Sequence, residues 1–256
     1  MIAALKRYLT DAGRWAELVG RGALTGVTDM ANTLKTAFHL GADDAARVMR
    51  NAKQTADKVA SGLRSAYSMT ADQAARAMRG AGFAANEVAN GLKSAFNTTA
   101  DQAAKILKGA GFAANEVGNA LKSAYGATAD QVAKWLRGAG FAANEVAGAL
   151  KSAFNVSVDQ AAKLLQQAGY AVNDVGNALK SAYNASADVA AKALRGAGYA
   201  VDQVGNVMKS AYGVASDQVN NVLKGAGYAA SEVDKFFGKA GEEIKKGVEK
   251  LDPTKW

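Results

Sequence analysis

The side chains that could do acid–base or metal chemistry in this sequence are either isolated or repeated many times. The only histidine is His39, and no second candidate ligand recurs with it. One acidic position recurs every 29 residues, and its members are Asp43, Asp72, Asp101, Asp130, Asp159, Asp188 and Asp217. Catalysis needs one positioned carboxylate in one cleft, so an acid present in every unit indicates a structural role at a helix start.

The other reactive groups in the sequence also give no indication of catalysis or metal binding. The 256 residues include no cysteine, which removes disulfides, thiol catalysis and cysteine metal sites. The sequence contains no phosphate-binding loop, zinc-type spacing or nucleophile elbow. We therefore predict a protein that is not an enzyme, and the sequence indicates no cofactor, no metal and no small-molecule substrate.

Lysine and arginine recur at the same step, and the formal net charge is +8. One basic row comprises Lys35, Arg64, Lys93, Lys122, Lys151, Lys180 and Lys209, and a second comprises Arg79, Lys108, Arg137 and Arg195. A repeat protein places such residues in a line, and a basic line could follow a phosphate backbone. The alternative, which we favour, is that these cations balance dipoles at helix C-termini.

A polar row accompanies the basic rows. Asn90, Asn119, Asn177 and Asn206 share one position of the repeat, and Gly148 interrupts the series. This row could bind an extended partner or could be plain solvated surface. Together with Lys93, Lys122, Lys151, Lys180 and Lys209, these asparagines are the candidate binding residues.

Two aromatic positions also recur, and phenylalanine and tyrosine exchange at both. The first holds Phe83, Phe112, Phe141, Tyr170, Tyr199 and Tyr228, and the second holds Tyr67, Phe96, Tyr125, Phe154, Tyr183 and Tyr212. This exchange predicts a ring that packs between repeats while its edge reaches water or a polar group.

The elements that position these residues can be read from one unit, residues 128–156. Thr128 and Gln131 have the spacing of a capping box at a helix start. Glycine pairs that we assign to a structural turn follow; they include Gly109 and Gly111, Gly138 and Gly140, and Gly196 and Gly198. Each unit is therefore predicted to hold a helix of about nine residues, a tight turn and a helix of about thirteen.

A continuous helix is the rival interpretation. Twenty-nine residues are close to eight turns at about 3.6 residues per turn, so one long amphipathic helix would keep its apolar stripe in register. The recurring glycines would cost such a helix about 1 kcal/mol each, and it would not need recurring capping residues. We therefore favour the helical hairpins.

The segment TADQVAKWL and the glycine-turned, two-helix unit resemble the repeats of TAL effectors, which read DNA one base per unit. That family varies a residue pair in the loop between the helices. The loop here keeps Gly-Ala-Gly followed by an aromatic residue, and the unit is shorter. The resemblance covers mainly the first helix, and we do not carry the DNA-reading function over.

These observations predict an all-α fold: a right-handed-type α-solenoid of tandem 29-residue two-helix repeats with non-repeat capping helices at both ends. The predicted parts are an N-terminal capping helix over 1–23, the repeat domain over 24–238, and a charged C-terminal capping helix and tail over 239–256. No stretch is apolar enough to span a membrane, and no classical signal peptide is recognisable, so we expect a soluble protein.

The function expected from this architecture is that of a structural scaffold or protein-interaction surface. The alternatives, in order, are a self-assembling fibre or array subunit, sequence-independent nucleic-acid binding through the basic rows, and an amphipathic protein that coats lipid. A protein partner or self-association is the leading expectation, and nucleic acid is a possible partner.

Overall fold

The computed structural model describes residues 27–238, and all regular secondary structure in that part of the chain is α-helical. The helices are α1 (Val27–Thr36), α2 (Ala42–Asn51), α3 (Ala56–Tyr67), α4 (Ala71–Gly80), α5 (Ala85–Phe96), α6 (Ala100–Gly109), α7 (Ala114–Tyr125), α8 (Ala129–Gly138), α9 (Ala143–Phe154), α10 (Val158–Ala168), α11 (Val172–Tyr183), α12 (Ala187–Gly196), α13 (Val201–Ser210), α14 (Ser216–Gly225) and α15, which begins at residue 230. The predicted capping segments, 1–23 and 239–256, lie outside the described residues. The boundaries of the repeat domain stay predictions.

The described part of the chain divides into two compact units, with the boundary between residues 141 and 142. In the first unit α3, α5 and α7 pack in series, as do α2, α4, α6 and α8, and each helix also packs on its sequence neighbour. In the second unit α9, α11 and α13 form one series and α10, α12 and α14 the other. Serial packing of two-helix repeats confirms the predicted solenoid architecture.

Most repeats begin with a first helix of ten residues and continue with a second helix of twelve, close to the predicted lengths. The first helix starts at a capping box: the amide of Gln73 donates to Oγ1 of Thr70 at 3.3 Å, and the amide of Thr70 donates to Oε1 of Gln73 at 3.0 Å. The second helix uses an acid instead, because Oε2 of Glu87 accepts from the amide of Ala84 at 2.8 Å. Free helix-start amides are thereby satisfied by local side chains.

The turn between the two helices depends on the second glycine of each pair. Gly140 has φ 87°, a conformation that disfavours residues with a Cβ. Gly138 is the last residue of α8, and a Cβ built on it would meet no atom within 4 Å. The members at the position of Gly140 (Gly111, Gly198) share its positive φ, and those at the position of Gly138 (Gly109, Gly196) share its open surroundings.

Small residues let the helices approach closely around a core of alanine, valine and leucine. Ala74, Val88 and Leu92 are fully buried. A Cβ built on Gly91, in α5, would lie 2.9 Å from the carbonyl oxygen of Ala56, in α3, so the two helices touch there through backbone. Among the described residues, no polar or charged residue is buried in this core.

The continuous-helix interpretation is wrong. Second helices end at residues in the left-handed conformation, such as Asn97 with φ 54° and Gly126 with φ 68°, and first helices end before glycines of positive φ. Left-handed residues at these points break the helical ladder twice in each repeat. The lipid-coating alternative rested on that helix and loses its structural basis. In the part of the chain that the structure covers, no helix is long and apolar enough to cross a membrane.

Candidate functional site

The basic residues of the second helices reach the neighbouring repeat. Nζ of Lys93, in the last turn of α5, donates to the carbonyl oxygen of Ala124 in the last turn of α7 at 2.7 Å, and it lies 5.2 Å from the ring centroid of Tyr125. Lys35 makes the same pair of contacts with Ala66 at 2.6 Å and with the ring of Tyr67 at 5.7 Å. A cation thus meets the free carbonyls at the end of the next helix and the face of its last aromatic residue.

The second unit contains the same arrangement. Lys151 donates to the carbonyl oxygen of Ala182 at 3.0 Å, and Lys180 donates to that of Ala211 at 2.7 Å. Their ammonium groups lie over the rings of Tyr183 and Tyr212 at 5.1 and 5.5 Å; Lys209 lies over Phe236 at 4.9 Å. Lys122, at the matching position of α7, is engaged as well.

The first helices carry a parallel set of contacts at the glycine turns. In the first unit Arg79 donates to the carbonyl oxygen of Ala110 at 3.0 Å and covers the ring of Phe112 at 5.3 Å. Lys108 donates to the carbonyl oxygen of Gly140 and covers Phe141 at 4.7 Å. These residues were expected to balance dipoles at helix C-termini, and their contacts lie at the C-terminal end of the next repeat's first helix or at the turn that follows it.

The tyrosine hydroxyls add a second type of contact between repeats. In the second unit the hydroxyl of Tyr199 donates to the carbonyl oxygen of Tyr170 at 3.2 Å. In the first unit the hydroxyl of Tyr125 lies 2.8 Å from Oγ1 of Thr98. Burial raises the pKa of Tyr67, Tyr183, Tyr212 and Tyr228 to about 12. Polar partners at the ring edge agree with the exchange of phenylalanine and tyrosine, although the hydroxyl of Tyr183 is buried without a partner in the described part of the chain.

The asparagine row lies on the exposed face of the second helices. Asn90, Asn119, Asn177 and Asn206 are all exposed. A row of asparagines one turn earlier (Asn86, Asn115, Asn144, Asn173) and a row of serines one turn later (Ser94, Ser123, Ser152, Ser181) are exposed as well. We call these three rows together the polar face. Its serine hydroxyls bond back to their own helices, as Ser123 does to Ala120 at 3.2 Å.

A groove borders this face at the start of two second helices. In the second unit it holds about 590 Å³ and is lined by Asn144, Tyr170, Asp174, Asn177, Lys180 and their neighbours. In the first unit a groove of about 520 Å³ is lined by Arg50, Thr55, Phe83, Glu87 and neighbouring residues. Asp174 and Glu87 occupy the same position of the repeat. The second-unit groove brings two of the candidate binding residues, Asn177 and Lys180, to one surface.

A third basic row was missed in reading the sequence. Its members, in the middle of the first helices, are Arg47, Arg76, Lys105, Lys134, Lys163 and Lys192, and all are exposed. Lys134 pairs with Asp130 at 2.9 Å, and Arg47 lies 3.9 Å from Asp44, whereas Arg76, Lys105, Lys163 and Lys192 have no hydrogen bond or ion pair in the described chain. We call it the open basic row. The 29-residue step alone would have revealed it.

Among the described residues, no group of three His, Cys, Asp or Glu side chains is placed so that it could hold a metal ion. His39 is exposed and has φ 51°, at the turn that ends α1. Comparison of the chain with protein-family models finds no match, and comparison with curated proteins finds none either.

Proposed function

We propose that this protein is a non-enzymatic α-helical repeat protein that serves as a scaffold or protein-interaction surface, and that its partner binds the polar face of the second helices. The observation that carries the proposal is the recurrence of exposed asparagine and serine at the same register of successive second helices. The lysines beside this face are held by the next repeat, as Lys93 is by Ala124.

The chemistry of the polar face suits a protein partner. Asparagine amides both donate and accept hydrogen bonds, so a row of them can pair with an extended main chain or with polar side chains. Protein interfaces of the non-obligate kind are about as apolar as the rest of the surface and contain roughly ten direct hydrogen bonds, which exposed asparagine amides can supply. The grooves add concave places where larger side chains of a partner could be buried.

A pair of matched substitutions in the second unit tests this assignment. Asn177 and Asn221 are both exposed helical asparagines, but Asn177 is on the polar face and Asn221 is in a first helix. Proteins recovered on the immobilised full chain would be purified and their binding measured. Asn177→Arg is expected to weaken binding at least tenfold, and Asn221→Arg to leave it within twofold. Equal effects of the two substitutions would refute the assignment.

Self-assembly is the second candidate, because near-identical repeats could dock on one another between chains. At the C-terminal end of the described region, Lys209 is covered by Phe236, and Lys224 lies 3.8 Å from Asp234. These contacts occupy two cations of the kind that hold one repeat to the next. Light scattering coupled to size exclusion over a wide concentration range decides, since growth into large species would favour assembly and a constant monomer mass would reject it.

Sequence-independent nucleic-acid binding is the third candidate, and the open basic row supports it. Members of the rows proposed from the sequence, such as Lys93 and Arg79, are bonded to the next repeat. Lys105 and Lys163, by contrast, are exposed and make no ion pair in the described chain. Each phosphate contact contributes about −0.9 to the slope of log affinity against log salt. Lys105→Gln with Lys163→Gln is expected to reduce that slope by about 2. An affinity that does not change with salt concentration would exclude this function.

A further inference from the structure

The row of basic residues at the glycine turns is interrupted at one position. Arg50, Arg79, Lys108 and Arg195 each cover the aromatic ring 33 residues later in the chain; those rings are Phe83, Phe112, Phe141 and Tyr228, at 5.5, 5.3, 4.7 and 5.6 Å. The residue 29 positions before Arg195 is Gln166. The ring that corresponds to it is that of Tyr199, and no cation of the described chain lies over this ring.

The glycine turn beneath the ring shows the same absence of a cation. A Cβ built on Gly82, Gly111, Gly140 or Gly227 would lie 3.1, 2.6, 3.0 or 2.9 Å from a nitrogen of the covering arginine or lysine. A Cβ built on Gly198, the corresponding glycine before Tyr199, would meet nothing within 4 Å. The backbone of this turn has the same conformation as the others, with φ 94°. The surface that receives a cation elsewhere is therefore formed here and left open.

The acceptors for a cation are also in place. Arg79 donates to the carbonyl oxygen of Ala110, and Lys108 donates to that of Gly140. The corresponding residues at the open turn are Ala197 and Gly198, and their carbonyl oxygens accept no side-chain hydrogen bond in the described chain. They lie at the C-terminal end of α12, where the helix dipole favours positive charge.

The acid Asp174 does not make the helix-start hydrogen bond that the other acids at its position of the repeat make. At its position Glu87, Glu116, Glu145 and Glu232 accept a hydrogen bond from the amide that starts their own helix, at 2.8 to 2.9 Å. Asp174 is one methylene shorter and makes no such bond. The hydroxyl of Tyr199 donates to the carbonyl oxygen of Tyr170, four residues before Asp174 in the chain. Burial raises the pKa of the Tyr199 hydroxyl, and the charge of Asp174 adds to that shift.

We propose that the ring of Tyr199, the turn at Gly198 and the carboxylate of Asp174 bind an arginine or lysine side chain of a partner protein. The proposal rests on the proposed interaction function and names the chemistry of one contact within it. The chain itself supplies the template, because four equivalent sites hold a guanidinium or ammonium at 4.7 to 5.6 Å from the ring. One such contact is weak alone and would act as an anchor within a larger interface.

The decisive variant is Gln166→Arg, which supplies the missing cation from within the chain. The probe is a blocked Gly-Arg-Gly peptide added to the full chain, and the readout is the NMR amide shifts of Gly198 and Tyr199. We expect saturable shifts with the unmodified chain, none with Gln166→Arg, and unchanged shifts with Gln167→Arg, which adds the same charge at the next exposed residue. A blocked Gly-Glu-Gly peptide should produce no shifts.

The outcomes separate this site from the polar face. Absence of shifts in the unmodified chain, or equal shifts in Gln166→Arg and Gln167→Arg, overturns the proposal. A partner that is lost with Asn177→Arg and bound normally by Gln166→Arg also overturns it while leaving the interaction function intact. If the unmodified chain forms a dimer that Gln166→Arg alone disrupts, the cation comes from a second copy, and the assignment to a different protein is wrong.

Discussion

The ammonium group of Lys93 donates a hydrogen bond to the carbonyl oxygen of Ala124 at 2.7 Å, and the two residues belong to successive repeats. The contact joins the C-terminal ends of α5 and α7 and recurs between Lys151 and Ala182. In a repeat protein the stability is about the sum of the repeats and the interfaces between neighbours, so such a contact acts on the interface term. The basic rows that first suggested a polyanion surface are thus part of what couples the repeats.

Removal of one such cation should weaken the coupling. Lys93→Met keeps the length and helix propensity of the side chain but removes the bond to Ala124 and the cation over Tyr125. We expect the free energy of unfolding to fall by about 1 kcal/mol, a value discounted for the exposure of the lysine. Lys105→Met, in the open basic row, should stay within about 0.5 kcal/mol. Urea unfolding measures both, and equal losses would contradict the coupling role.

The glycine turn predicts opposite effects on stability for substitutions at its two glycines. Gly140→Val places a β-branched residue at φ 87° and should cost about 2 to 3 kcal/mol. Gly138→Ala, at the open last residue of α8, should raise stability by up to about 1 kcal/mol. Melting temperatures followed by circular dichroism test the pair, and a melting temperature of Gly140→Val equal to that of the unmodified chain would refute the turn assignment.

Close approach of second helices predicts a further contrast between two helical glycines. A Cβ on Gly91 would lie 2.9 Å from the carbonyl oxygen of Ala56 and 3.0 Å from the Cβ of Ala60, so Gly91→Ala should cost about 1 to 3 kcal/mol. A Cβ on Gly148 meets nothing within 4 Å, and Gly148→Ala should stabilise by about 0.5 to 1 kcal/mol. Denaturant midpoints would show the opposite signs; stabilisation by both substitutions would exclude the tight contact at Gly91.

The buried tyrosines predict loss of stability in alkali. Burial favours the neutral phenol and raises the pKa of Tyr183 and Tyr212 to about 12, against about 10 for an exposed tyrosine. Their contribution is therefore complete below pH 10 and declines as the pH rises from 10 to 12, because the unfolded chain ionises first. Unfolding curves collected across this range measure the decline.

Tyr183→Phe isolates the tyrosine effect from the deprotonation of lysines in the same pH range. The hydroxyl of Tyr183 has no partner in the described chain, so its removal should change stability little at neutral pH. The variant should lose less stability than the unmodified chain between pH 10 and 12. An identical alkaline decline in the two proteins would show that the lysines alone cause it.

The sequence by itself determined the repeat, its two helices and their caps, because these depend on contacts within a few residues. Thr128 bonds with Gln131, and Gly140 takes a positive φ, as the spacing predicts. Gly138, which was assigned to the turn together with Gly140, is instead the last residue of the first helix. Such local rules act over three or four positions, which one repeat of the sequence displays in full.

Only the tertiary structure decided where the basic residues point. Lys93 stands at the end of its own helix in the sequence, but its contacts are with Ala124 and Tyr125, about thirty residues later. The importance of Gln166 could not be predicted for the same reason. An exposed glutamine in a helix attracts no attention until the structure shows the ring of Tyr199 without a cation over it. A long side chain chooses among partners by distance in space, and only packing of one repeat on the next brings those partners within reach.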